Sequence, residues 1–146
     1  MSKVIVQSLA DYTHAMLVTT EGHGWISDEP RSDGGNDLGP TPYDLFIAAI
    51  GGCTAMTIQL YARRRGIPLE EVAVEVEHER SYGKDCDECV EKQRGAWIER
   101  LHRRIVVRGP LSETQRDELL DIARRCPVHR TLAAAPEIVD SIELVG

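Results

Sequence analysis

Aromatic side chains are scarce in this sequence, at 5% of residues with a single Phe. A core with so few rings has to be assembled from Ile, Val, Leu and Ala, and a larger core shared through dimerisation helps such a chain. Positive charge is also short: 17 Lys and Arg stand against 24 Asp and Glu, a formal net charge of −7. That balance argues against a nucleic-acid binder held by general attraction to phosphate, while leaving room for local basic patches. The opening stretch, MSKVIVQSLADYTH, lacks the apolar region and cleavage site of a secretory leader, so a cytoplasmic location is expected. No internal repeat and no low-complexity segment is present. Cysteine is limited to four residues, and without a secretory leader these point to a reducing compartment that keeps thiols for chemistry or metals.

What is there fits a single α+β domain over 1–146, with 42% hydrophobic and 28% charged residues. Short alternating runs over 3–26, with Val4 and Val6 and then Met16 and Val18, predict two or three antiparallel strands. The glycine-, proline- and acid-rich stretch 27–40 reads as a loop. Thr41 then offers an N-cap, Pro42 suits the first helical position, and Asp44 can close a capping box. From Leu45 to Ala62 the sequence runs 18 residues without a charge, close to the length of a membrane span. Gly51, Gly52, Thr54, Thr57, Gln59 and Tyr61 interrupt the apolarity, and no second such run exists, so a buried central helix is expected. Arg63, Arg64 and Arg65 suit the negative end of its dipole, and Gly66 can close it.

Beyond Pro68, Val72, Val74, Val76 and His78 alternate with Glu75, Glu77 and Glu79, which predicts a strand with an inward histidine. A polar insertion occupies 83–96. Alternation resumes over 100–108, with Ile105 and Val107 opposed to Arg104, Val106 and Arg108. The run Ser112 to Gln115 makes a second capping box, opening a helix that stops before Cys126-Pro127. A short helix to about Ala135 and a last strand, EIVDSIELV, complete the expectation.

The cysteines divide by context. Cys53 sits within the apolar helix, where a free thiol is as readily a small core hydrophobe as a reactive group. Its neighbours Gly51 and Gly52 each cost a helix about 1 kcal/mol relative to Ala, which points to close packing or room for a ligand. Cys126 precedes Pro127 and so stands at a helix N-terminus, where free N–H groups and the dipole stabilise a thiolate. Cys86 and Cys89 form a CxxC within the insertion. Joined to Cys126 and His129 they would complete a tetrahedral zinc set, which leaves a zinc-binding or redox-sensing protein as the alternative reading.

Three segments together resemble the OsmC/Ohr family: DEP-x3-GG-x3-GPTPYDLFIAAIGGCTAMT at 28–57, YARRRGIPLEEVAVEVEH at 61–78, and RCPVHRTL at 125–132. The resemblance implies an OsmC-like fold, with antiparallel sheets wrapped around long central helices in an intertwined homodimer. It implies reduction of small organic hydroperoxides, with Cys53 as the peroxidatic and Cys126 as the resolving thiol. An external dithiol would be the reductant; no cofactor, nucleic acid or membrane would be needed. Family members with this chemistry carry a Glu ten residues before the first cysteine, where this chain has Tyr43. Asp44 is therefore a possible auxiliary acid, with capping as its other duty, and Arg31 is the candidate for the activating arginine. The CxxC insertion marks a divergent branch.

Overall fold

The computed structural model describes residues 2–82 and 97–146. The Cys86–Cys89 pair of the polar insertion lies outside these residues. Helices and antiparallel sheets are mixed, as an α+β chain requires, and two compact units can be described, Met1–Ala48 and Ala49–Gly146.

In the first unit, β1 (Ile5–Ser8), β2 (Met16–Thr19) and β3 (Gly24–Ser27) form an antiparallel sheet in chain order. Val6 lies opposite Val18, and Val18 opposite Trp25. The following loop contains one 3-10 turn, Arg31–Asp33. It is organised by Asp28, which is 1% exposed and accepts the backbone N–H groups of Glu29 (2.8 Å), Asn36 (3.1 Å) and Leu38 (3.2 Å). These donors, with the charge of His14, outweigh the burial that would raise its pKa and hold the carboxyl below its ordinary value. Gly35 is required there, since a Cβ would fall 1.9 Å from the carbonyl oxygen of Glu29.

Helix α1 (Pro42–Arg65) begins and ends where the sequence predicts. Asp44 accepts the N–H of Thr41 at 2.9 Å while the Thr41 hydroxyl accepts the N–H of Asp44 at 3.1 Å, a reciprocal capping box. At the far end Gly66 turns left-handed (φ 66°), and Ile67 donates to the Ala62 carbonyl at 2.9 Å.

The burial of α1 differs from the expectation. Ile50, Thr54, Ile58 and Ala62, four residues apart, make a single buried stripe with Gly51, whereas Met56 (74% exposed) and Leu60 (50%) face outward. Within one chain the helix packs against neighbours on one side, so an all-round apolar sequence leaves apolar surface uncovered. Among the described residues it is the one helix long and apolar enough, by length and composition, to cross a membrane.

In the second unit, β4 (Glu71–Tyr82) and β5 (Trp97–Arg108) pair antiparallel, with Val74 opposite Ile105 and His78 opposite Leu101. His78 is bonded to Glu99, in keeping with a satisfied histidine. Helix α2 (Glu113–Ala123) carries the predicted box, Gln115 N–H to the Ser112 hydroxyl at 3.1 Å and Ser112 N–H to the Gln115 side chain at 3.0 Å. Helix α3 (Pro127–Ala133) follows with Cys126 as its N-cap. The core gathers Ile58 and Ala62 of α1, Ile67, and Leu119 and Ala123 of α2, with Val72, Ile105 and Val107 packed against them. Gly51 explains one of the two helical glycines: a Cβ there would meet Val76 Cγ2 at 3.1 Å, so α1 approaches β4 closely.

The last strand expected at EIVDSIELV does not form. Residues 136–146 carry no regular structure, and Ile138, Val139, Ile142, Leu144 and Val145 are 81–101% exposed. A strand exists only through the edge it pairs with, and no described strand of this chain takes this segment.

Candidate active site

Cys53 and Cys126 are both free thiols of the second unit, and the fold brings them together. Cys53 is half-buried on α1, and its thiol lies within hydrogen-bonding reach of the Cys126 sulfur. Cys126 is fully buried. As the N-cap of α3 its Sγ accepts the backbone N–H of His129 at 3.3 Å, the local bond that the Cys-Pro spacing predicts. Thr54, fully buried beside Cys53, places its hydroxyl 3.6 Å from the same sulfur.

A fourth group was not foreseen. Arg103 lies on the inward face of β5 between Leu101 and Ile105, half-buried. Its Nη1 donates to the Thr54 hydroxyl oxygen at 2.8 Å and to the Ala123 carbonyl at 3.3 Å, and its Nη2 to His129 Nδ1 at 3.1 Å. A guanidinium only donates, so Nδ1 of His129 is the acceptor and any ring proton sits on Nε2. The imidazole is thus turned toward Arg103, and His129 serves Cys126 through its backbone. Burial by itself would raise the pKa of the Cys126 thiol. The His129 N–H, the Thr54 hydroxyl, the Cys53 thiol and the charge of Arg103 together bring it below its ordinary value.

The signal for Arg103 was present in the sequence: it is a charge on the apolar phase of its strand, in step with Ile105 and Val107. Thr54 likewise keeps the four-residue spacing of Ile50 and Ile58. Of the other predicted residues, Asp44 caps α1, and Tyr43 is exposed with its ring edge-on to Phe46 at 6.3 Å. Arg31 is exposed in the 3-10 turn of the first unit. Phe46 and Met56 of the apolar helix are exposed. A cavity of about 480 Å³ does exist in the second unit, lined by Ile50, Leu101, Ile105, Leu120, Leu132 and the polar ends of Arg103, Arg124 and His129. Among the described residues no cluster of three or more metal-ligating side chains is formed.

A sequence model of the family described as OsmC-like protein matches residues 34–139. The chain belongs to the OsmC-like family. Its fold is similar to that of the OsmC-like protein of Mycoplasma pneumoniae, with a TM-score of 0.68 at 20% identity over 92% of this chain and 89% of the other. It is also similar to an organic hydroperoxide resistance protein OsmC of Legionella pneumophila, with a TM-score of 0.63 at 19% identity over 90% and 88%. The organic hydroperoxide resistance protein OhrB of Bacillus subtilis gives 0.56 at 19% identity over 92% of both chains. No curated protein sequence matches significantly. At these identities the structural likeness speaks for the OsmC-like fold.

Proposed function

We propose that this OsmC-like protein is a thiol-dependent peroxidase that reduces organic hydroperoxides through Cys53 and Cys126. The observation that carries the reading is the meeting of the two free thiols, with Cys126 polarised by a helix N-terminus and a nearby guanidinium. Relatives named as organic hydroperoxide resistance proteins support the same class of substrate.

In the proposed cycle the Cys53 thiolate attacks the distal peroxide oxygen and the O–O bond breaks. The alkoxide takes a proton and leaves as alcohol, and Cys53 becomes a sulfenic acid. The Cys126 thiolate then attacks the Cys53 sulfur. An S–S bond forms, the S–O bond breaks, and the departing hydroxide is protonated to water. An external dithiol supplies two electrons and two protons to restore both thiols, itself becoming a disulfide. The aliphatic residues that share the lining of the cavity with Arg103, Arg124 and His129 would suit the alkyl group of an organic hydroperoxide.

The reading places the protein in the cytoplasm, where dithiol reductants are available, and in a homodimer. The uncovered apolar side of α1 and the apolar, unpaired C-terminal segment are surfaces that a second copy would cover.

The test is turnover of cumene hydroperoxide with a dithiol by wild type, Cys53→Ser and Cys126→Ser. Wild type should turn over, Cys53→Ser should be inert, and Cys126→Ser should stop after one equivalent with a trappable sulfenic acid. Equal inertness of all three proteins would remove the peroxidase reading.

A further inference from the structure

Three arginines of β5 differ in their company. Arg104 and Arg108, on the outer face, hold Glu75 at 3.2 Å and Glu71 at 3.1 Å. Arg103, on the inner face, has no carboxylate partner among the described residues. Its acceptors are a hydroxyl, a carbonyl and an imidazole nitrogen, all neutral. A half-buried cation without a counter-charge is costly, and the groups beside it able to become anionic are the thiols. Of these, Cys126 is the one that meets Thr54 on one side and the first turn of α3 on the other.

We propose that Arg103 is a positioning residue for the resolving step, holding Thr54 and the start of α3 so that the Cys126 sulfur is ready to attack oxidised Cys53. The inference rests on the peroxidase reading for the step it assists, but the coupling of Arg103 to Cys126 has a readout of its own.

The proton inventory gives the mechanism. Thr54 has one hydroxyl proton, which is donated to the Ile50 carbonyl at 2.7 Å. Its lone pairs then face Arg103 Nη1 at 2.8 Å and Cys126 Sγ at 3.6 Å, so in the resting state the thiol is the donor of that pair. When Cys126 loses its proton, the hydroxyl rotates about its C–O bond and donates to the thiolate, leaving the Ile50 carbonyl. Arg103 keeps its own bond to the oxygen throughout and anchors the rotor. The second fork of the guanidinium fixes the His129 ring, which keeps the His129 N–H aimed at the sulfur. The titratable and charged groups facing Cys126 are thus Cys53 from α1, Arg103 from β5 and His129 in its own helix. Arg124, at the end of α2, shares the cavity lined by Arg103 and His129.

Two experiments test this. In the first, wild type, Arg103→Lys and Arg103→Met receive one equivalent of cumene hydroperoxide, and sulfenic acid at Cys53 and the disulfide are followed by trapping and intact mass. Arg103→Met should accumulate sulfenic acid. Its disulfide should close about tenfold more slowly on the acid side of the pH profile, where the thiolate fraction limits the attack, with Arg103→Lys intermediate. Closure of Arg103→Met at the wild-type rate overturns the proposal. So does a slowing confined to the formation of sulfenic acid, because Arg103 would then act on Cys53. The second experiment uses no peroxide. Thiolate absorbance of Cys126 is titrated in a chain carrying Cys53→Ser, Cys86→Ser and Cys89→Ser, so that it is the one remaining thiol, with and without Arg103→Lys, a variant that keeps the charge. The titration should move to higher pH with the loss of the fork, and an unmoved titration refutes the coupling. If wild type never forms sulfenic acid the resolving role falls with the peroxidase reading, whereas the titration still reports whether Arg103 governs this thiol.

Discussion

The middle of α1 and the first turn of α3 each carry a thiol, and the two settings treat it differently. Around Cys53 every backbone N–H of the helix interior is committed to the carbonyl four residues earlier, so the peptide chain has nothing to offer the sulfur. At Cys126 the helix is beginning, its N–H groups are unclaimed, and one of them bonds the sulfur. The lesson is that two neighbouring thiols can differ in what the backbone offers them: the one at a helix end accepts an N–H, the one in a helix interior has none within reach. A side chain from a third element, Arg103, then reinforces that asymmetry.

The largest effect is expected from removing what holds α1 in place. Ile58→Ala, at a fully buried position one turn beyond Thr54, should cost about 2–5 kcal/mol of stability in chemical denaturation. Met56→Ala on the uncovered side should stay within about 0.5 kcal/mol for the isolated chain. A large loss at Met56 that depends on protein concentration would instead mark that face as covered by a second copy.

A smaller effect is expected from Thr54→Val, which keeps shape and removes the hydroxyl. The Arg103 donor left without its acceptor should lower stability by about 1–3 kcal/mol, and the Cys126 titration should shift upward. Thr54→Ser should restore both measurements, and failure of Ser to do so would show that volume, not the hydroxyl, matters at this position.

The smallest effect is in the pH dependence of stability. The Cys126 pKa is lower in the folded chain than its ordinary value, so the unfolded chain binds more protons between the two. Stability should therefore rise with pH through that window, be fully present above the unfolded thiol value, and be lost as pH falls through the folded one. Thermal unfolding of reduced wild type and reduced Cys126→Ser across the window checks this, and identical slopes would remove the thiolate from the account.

Much of the architecture is legible because its signals are local. Thr41 and Asp44, Ser112 and Gln115, and Cys126 and His129 are each three residues apart, so the caps of α1, α2 and α3 follow from short stretches of sequence. The strand alternations through Val72 to Val76 and Ile105 to Val107 are of the same kind. The burial of α1 was less legible, since an uncharged sequence on all sides does not say which side faces its own chain. The strand expected at the C-terminus failed for a related reason: apolar alternation permits a strand, but only a free edge in the right place makes one.

The site shows the same division. The two thiol candidates, the helix start at Cys126 and the resemblance to the OsmC-like family are all readable from short stretches of residues. The meeting of Thr54 with Cys126 across 72 positions, and of Arg103 with Thr54 across 49, comes from the packed fold. A cap closes within one turn of chain and is encoded there. A contact between α1, β5 and α3 exists only after the core of Ile58, Leu119 and Ala123 has packed those elements together, and no local pattern announces it.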